Sequence, residues 1–439
     1  MKMLSNGRCP KLCLRSATDS PTWVGALKVI DHLMGLPWWT RLWVLQEAIL
    51  QRGKVTAIYG EIVAPMSLIE ASGAILPRHH ENGLCCKSFW HSLPSDQQIT
   101  LERFSKTTSS IEAVREILSI IKQNQIERLL FLLEKTRDRR ATDPRDKIYG
   151  LLGLIEDSPD PVVDIAPDYE RDVTHLYAGV AMRFIRHQQS LHVLLNHEIK
   201  PEAAGSHTLP SWVPHWGATY GSPTPNLIKY RLSQYNAWPS GAGRMPELSA
   251  DSRALSVTGK YVDRITDVTR AVDKAATADL GKTLSELDVC FGVDEGHLVQ
   301  YQPDGSGSGS GEGGMLPYDA VWRTLLGDQV SEHIARKAEQ EFWYASDGKV
   351  FFKTARGYIG SGPPGTRAGD AVYLIFGSLV PVVLRPAASS HRLVGYAYVQ
   401  GIMDGEATPE PGWQEAVESG SADDRNEAED GRPRRIYLV

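Results

Sequence analysis

The chain has 439 residues, 42 % of them hydrophobic and 23 % charged. That is the balance of a globular protein too long for one compact core, so two or three domains are expected. A net charge of −6 and a pI near 6.1 give no whole-chain attraction to nucleic acid or to an anionic membrane.

No apolar run reaches the roughly 18 residues needed to cross a bilayer. The opening "MKMLSNGRCPKLCLRS" lacks the apolar core of a secretory signal. Five cysteines, Cys9, Cys13, Cys85, Cys86 and Cys290, are too sparse and odd in number for a disulfide scaffold. They point to a reducing, cytoplasmic setting. Their spacing supplies no pair of ligand pairs, so no metal is expected.

In chain order, residues 21–50 read as helical, with Val24, Leu27, Ile30 and Met34 at helical spacing. Pro37 interrupts, and a second helix is expected from Thr40 as N-cap. "KVTAIYG" (54–60) reads as a strand and "SLIEASGAIL" (67–76) as a helix. Residues 77–109 read as a loop or weakly ordered insert. Val114, Ile117, Leu118 and Ile121, then Ile126, Leu129, Leu130 and Leu133, mark two amphipathic helices.

"TDPRDKIYGLLGL" (142–154) reads as a helix start. Asp143 is placed to cap, Pro144 to stand at the first helical position and Asp146 at the third, with Gly153 as the stop. "RDVTHLYAGVAMRFI" (171–185) is amphipathic through Val173, Tyr177, Val180, Ala181 and Phe184. "ALSVTGKYVDRI" (254–265) reads as strand. Later "KVFFKTARGYIG", "DAVYLIFG", "PVVLRP" and "HRLVGYAYVQGI" are short strands suited to a small barrel or curled sheet. "DGSGSGSGEGG" (304–314) has linker composition.

The expected fold class is therefore mixed α+β. The expected divisions are 1–76, an insert at 77–109, a helical region at 110–200, a mixed β region at 201–303, the linker at 304–314, a β-rich region at 315–410 and an acidic, disordered tail at 411–439.

"RLWVLQEAIL" resembles the Arg-x-Trp-x-x-Gln-Glu box of the fungal heterokaryon incompatibility (HET) domain, here Arg41, Trp43, Gln46 and Glu47. "ATDPRDKIYGLLGL" resembles the segment that follows that box. "PDYERDVTHLY", "LPSWVPHW", "LSVTGKYVDRI" and the stretch from "RGYIGSGPPG" to "GIMDGEA" match further pieces in the family's order. Together they run from about residue 20 to 407. The "LSYxWG" and "WIDAICINQ"-like stretches that precede the box in the family are not present. The resemblance thus implies that residues 1–76 hold the last segment of a HET domain, an incomplete TIR-like α/β lobe.

It further implies a role in self/non-self recognition and programmed cell death, with other proteins as partners, self-association among the options, and no membrane span or nucleic acid. Through the distant TIR likeness it also implies a second role, cleavage of NAD as a substrate, with Glu47 as the key carboxylate and no resident cofactor, and with the preceding strands missing this chain alone is expected to be inactive. A fixed carboxylate stabilises the positive charge that develops on the ribose, and Trp38, Trp39 or Trp43 would wall a flat ring.

Both motifs also have a structural reading. Trp43, Leu42, Leu45 and Ile49 can line an apolar stripe, leaving Arg41 and Glu47 as solvated or paired ends. In "TDPRDKIY", helix capping accounts for Asp143, Pro144 and Asp146 and Arg145 pairs locally, or else Arg145 or Lys147 meets a phosphate or a partner carboxylate.

Overall fold

A computed structural model describes residues 21–50, 55–80, 87–121, 124–155, 165–195, 209–217, 235–238, 245–272, 286–287, 290, 346, 348–408 and 432–439. The fold is mixed α+β, with helices in the amino-terminal and middle parts and a sheet in the carboxy-terminal part. The chain divides into two compact units, residues 1–169 with 216–219, and 170–215 with 220–439. The Gly/Ser stretch 304–314, the acidic 415–430, and Cys9, Cys13, Cys85 and Cys86 lie outside the described residues.

In the first unit, helix α1 spans Pro21–Gly35. A 3₁₀ turn, Pro37–Thr40, and helix α2, Val44–Ile49, follow. The second helix thus starts four residues later than expected. Thr40 caps nothing; its hydroxyl donates to the Pro37 carbonyl at 2.9 Å and closes the 3₁₀ turn. Strands β1 (Thr56–Tyr59) and β2 (Ile62–Pro65) form an antiparallel hairpin. Its turn passes through Gly60 at φ 58°, a conformation that favours glycine.

Helices α3 (Met66–His80), α4 (Lys87–Ser92), α5 (Ser95–Ile120) and α6 (Gln125–Lys135) come next. Here the loop expected at 77–109 is corrected: residues 95–109 are the first half of a 26-residue helix. That half buries Leu101, Phe104, Ser105 and Thr108. The small polar pair permits a close helix crossing at Gly73. The Ser105 hydroxyl donates to the Gly73 carbonyl at 3.0 Å, and a Cβ at Gly73 would lie 1.7 Å from Thr108 Oγ1. α6 begins as capping rules require, the Asn124 side chain accepting from the Glu127 N–H at 3.1 Å. Helix α7 spans Asp146–Leu152.

The second unit opens with helix α8, Val173–Gln188. Asp172 caps it, accepting from the Thr174 and His175 N–H groups at 2.8 and 3.3 Å. A short helix α9, His192–Leu195, precedes the sheet. Its strands are β3 (Glu247–Leu248), β4 (Leu255–Val268), β5 (Val350–Thr354), β6 (Ile359–Gly362), β7 (Ala371–Ile375), β8 (Val382–Ala387), β9 (Ser390–Tyr396), β10 (Tyr398–Val399) and β11 (Pro433–Leu438).

β4 pairs β11, β11 pairs β9, β9 pairs β8, β8 pairs β7, and β7 returns to β4. Five strands thus close on themselves, which removes open edges. β4 serves two sheets because it is long and irregular. Its register shifts between Tyr261 and Asp263 and again between Ile265 and Asp267. It stays paired with β7 through Arg264, and from Ile265 onward pairs with β5, which carries β6 and β10. Val262, Ile265, Phe352, Val372, Leu374, Val383 and Val394 belong to one buried cluster.

The disordered tail expected at 411–439 is corrected at its end. Residues 433–438 are a stave of the barrel, with Ile436 and Leu438 buried. "RPRRIYLV" hides this because three arginines and a proline precede only four apolar residues, with no period-2 alternation, and long-range pairing decides.

Candidate functional site

The Arg-x-Trp-x-x-Gln-Glu box and the "TDPRDKIYG" segment lie about a hundred residues apart and fold into one lock inside the first unit. Backbone joins them first. The Leu42 N–H donates to the Arg140 carbonyl at 2.9 Å, and the Arg140 N–H to the Thr40 carbonyl at 2.6 Å. Arg41 sits in this bridge through its backbone, while its side chain is exposed.

Side chains then complete the lock. The Trp43 indole donates to Asp146 Oδ2 at 3.2 Å, and the Gln46 amide donates to the Gly150 carbonyl at 2.9 Å. Two glycines give them room. A Cβ at Gly150 would stand 3.1 Å from Leu42 Cδ2, and one at Gly153 would stand 2.9 Å from Gln46 Nε2. Trp43 and Gln46 are therefore used in packing the two motifs together.

Glu47 lies apart from that lock. It is exposed, and its Oε2 accepts the Trp38 indole N–H at 3.0 Å. Trp38 in turn meets Trp39 edge to face, centroids 4.8 Å apart. Trp43, one of the three tryptophans expected to wall a flat ring, turns to Asp146.

The helix cap expected at Asp143 is corrected. α7 starts at Asp146, after a turn in which the Asp146 N–H donates to the Asp143 carbonyl at 3.1 Å and the Lys147 N–H to the Pro144 carbonyl at 3.1 Å. Asp143 caps that turn: its Oδ1 accepts the Arg145 N–H at 2.9 Å, an arrangement short Asp side chains favour. Pro144 lies within the turn, ahead of the first helical position. The same carboxylate takes the Arg145 guanidinium on both oxygens at 2.9 Å, a two-point pairing. Gly153 does end the helix, with ordinary right-handed φ of −66°.

Tyr169 and Arg139 carried no individual signal in the sequence, while Lys147 stood beside Arg145 as a candidate for a phosphate or a partner carboxylate. Tyr169 donates its hydroxyl to Asp146 Oδ1 at 2.7 Å and lies under the Arg145 guanidinium, 5.6 Å from ring centre to Cζ. The hydrogen bond to Asp146 is the main cause that lifts its phenol to about 12. Lys147 is buried, and its amine donates to the Arg137 carbonyl at 2.9 Å and to the Arg139 carbonyl. Burial pushes this amine down to about 8, against the Asp138 carboxylate. Arg139, lowered to about 10 by burial with Asp138 opposing, donates to the Trp39 carbonyl at 2.9 Å and to Ser110 Oγ at 2.7 Å. Tyr169 belongs to "PDYERDVTHLY" and Lys147 to "TDPRDKIYGLLGL", whereas Arg139 precedes both motif segments.

Chemically, this is a network in which carboxylates, cations and aromatic donors satisfy one another. Among the described residues no group of three or more His, Cys, Asp or Glu side chains is gathered to hold a metal. Nor is any described helix long and apolar enough to cross a membrane.

Residues 319–414 match the Het-6 beta-barrel domain. The chain is also 23 % identical over 337 residues to heterokaryon incompatibility protein 6, OR allele, of Neurospora crassa, a match covering 61 % of this chain and 49 % of that protein. The chain is thus similar in sequence to a fungal heterokaryon incompatibility protein. It spans about half the length of that curated relative. No solved structure matches. Strands β5 to β10 fall within the Het-6 match, whereas β4 and β11, both staves of the closed ring, lie outside it.

Proposed function

We propose that this chain acts in fungal self/non-self recognition, working through protein interactions in the cytoplasm and linked to the cell death that follows fusion of unlike cells. The likeness to heterokaryon incompatibility protein 6 carries this reading. The interaction part draws support from the apolar side chains that the first unit leaves exposed, Ile58 at 71 %, Ile120 at 70 % and Val63 at 65 % among them.

The test is expression of the chain in a fungal strain that is then fused with strains of differing incompatibility type. Death of fused cells should depend on the partner strain. Charged replacements at Ile58 and Val63 should weaken it while leaving the protein folded. Survival of every fusion would overturn the reading.

A second reading is NAD cleavage, in which a TIR-like lobe uses Glu47. What favours it is the carboxylate held by the Trp38 indole at an exposed position, where developing positive charge on a ribose could be met. Nicotinamide release from NAD, lost in Glu47→Ala with unchanged melting, would support it. Equal release by Glu47→Ala would dismiss it.

A further inference from the structure

The last stave of the barrel comes from the end of the chain, and every group that receives it lies elsewhere. β4 offers six antiparallel pairs, from Lys260 opposite Pro433 to Leu255 opposite Leu438. β9 offers one parallel pair, His391 with Leu438, and the His391 carbonyl accepts the Val439 N–H at 2.9 Å. Ser211 holds the far end. Its N–H donates to the Val439 carbonyl at 3.1 Å, and its hydroxyl donates to the same oxygen. That hydroxyl also accepts the Leu393 N–H at 2.8 Å.

The slot is shaped for one side chain in particular. A Cβ at Gly259 would lie 2.2 Å from Ile436 Cδ1, so the glycine leaves the socket that Ile436 fills. Arg435 adds an ion pair to Glu247 at 3.3 Å.

None of these contacts requires that β11 belong to the same chain. Lys260 faces Pro433 in register, and its amine donates to the Ala407 carbonyl at 2.9 Å. The two ends of the intervening segment are thus held near one another, a gap that about five extended residues would bridge. The connection is residues 408–432, far longer than the gap needs. Withdrawal of β11 would leave β4 and β9 with unpaired N–H and C=O groups, a template for a strand of matching pattern.

We infer that the β4–β9 slot is a strand-acceptor site for residues 433–439 of a second copy of this chain, so that two copies exchange β11 and each completes the other's barrel. All contacts within the slot recur in the exchanged pair, and only the path of 408–432 changes. Exchange therefore competes with self-closure on concentration. The inference stands apart from the incompatibility role.

Ser256 and Tyr437 face each other across the pair. In a full chain with its native cysteines replaced by serine, Ser256→Cys with Tyr437→Cys on the same molecule should close an internal disulfide. Chains carrying only one of the two, mixed at rising concentration, should form a linked dimer. Its yield should exceed that of Ser256→Cys mixed with Tyr169→Cys by about tenfold, as a seated strand raises local concentration. Gly259→Leu in the Ser256→Cys chain should abolish the dimer.

Internal closure without the mixed dimer overturns the exchange, and absence of internal closure overturns the slot. Light scattering on the unaltered chain gives a cysteine-independent reading. A dimer fraction that grows with concentration and is removed by Gly259→Leu is expected. A strict monomer at every concentration overturns the inference.

Discussion

The two units differ in how they treat their apolar surface. The second closes a ring of strands, and the large hydrophobic side chains it exposes among the described residues are Tyr437 and Val439, on or beside its last strand. The first leaves Ile58, Val63, Ile99 and Ile120 more than half exposed. Ile58 and Val63 oppose each other in register on a two-stranded hairpin, a size of sheet that is at best marginal alone. The ring pairs its own strands, while the helical unit leaves apolar side chains in the open.

The contrast breaks most severely if the ring is opened. Ile436 is 2 % exposed, and Ile436→Asp buries a carboxylate in its place. A loss of about 4 kcal/mol is expected from the lost packing and the unpaired charge. Chemical denaturation should show it, and limited proteolysis should cut first in 255–439 while the first unit stays resistant. A loss below about 1 kcal/mol would mean that β11 is not needed to close the ring.

In the first unit the corresponding change is Lys147→Met. It removes an amine that serves the carbonyls of Arg137 and Arg139, in the turn that sets Arg139 on Trp39 and Arg140 on Thr40. Buried carbonyls left unpaired cost about 2–3 kcal/mol. Urea melts should register the loss without altering the proteolysis pattern of the barrel. A variant as stable as the parent would show that the turn holds without the amine.

These two positions also mark what could be read from sequence. β4 was legible because "LSVTGKYVDRI" alternates in the manner of a strand, and α8 because its apolar residues recur at helical spacing. The first half of α5 was not. Its buried face includes Ser105 and Thr108 against Gly73, and a crossing built on small polar residues leaves no apolar period to detect. β11 was missed because its partners are β4 and β9, remote in sequence. At the site, the two motifs were legible as segments, but their mutual contact was not. Asp143 looked like a helix cap because Asp-Pro before a helix usually is one. The helix starts three residues later, and the carboxylate goes to Arg145.

A smaller change sharpens the contrast from the other side. Ile58→Thr with Val63→Thr alters side chains that are 71 % and 65 % exposed. Threonine keeps the strand preference, so stability should stay within about 0.5 kcal/mol. Self-association or partner capture by the first unit should fall, as sedimentation velocity would report. A large drop in melting temperature would instead place this face in contact with something the fold requires.

The smallest effect tests the lock itself. Tyr169 is raised from 10.0 to about 12, first by its hydrogen bond to Asp146. A phenol raised in the folded state favours folding while protonated. That contribution is complete below pH 10 and fades as pH climbs toward about 12. Since Tyr169 is 47 % exposed, solvent screening keeps the stability change small, and the phenol's own titration is the sharper readout. Ultraviolet absorbance should show one late-ionising tyrosine that Tyr169→Phe removes. Asp146→Asn should shift it back toward 10, because the amide accepts a hydrogen bond without the negative charge that opposes ionisation. An unchanged late component in both variants would assign it to another tyrosine and detach Tyr169 from the joint between the two motifs.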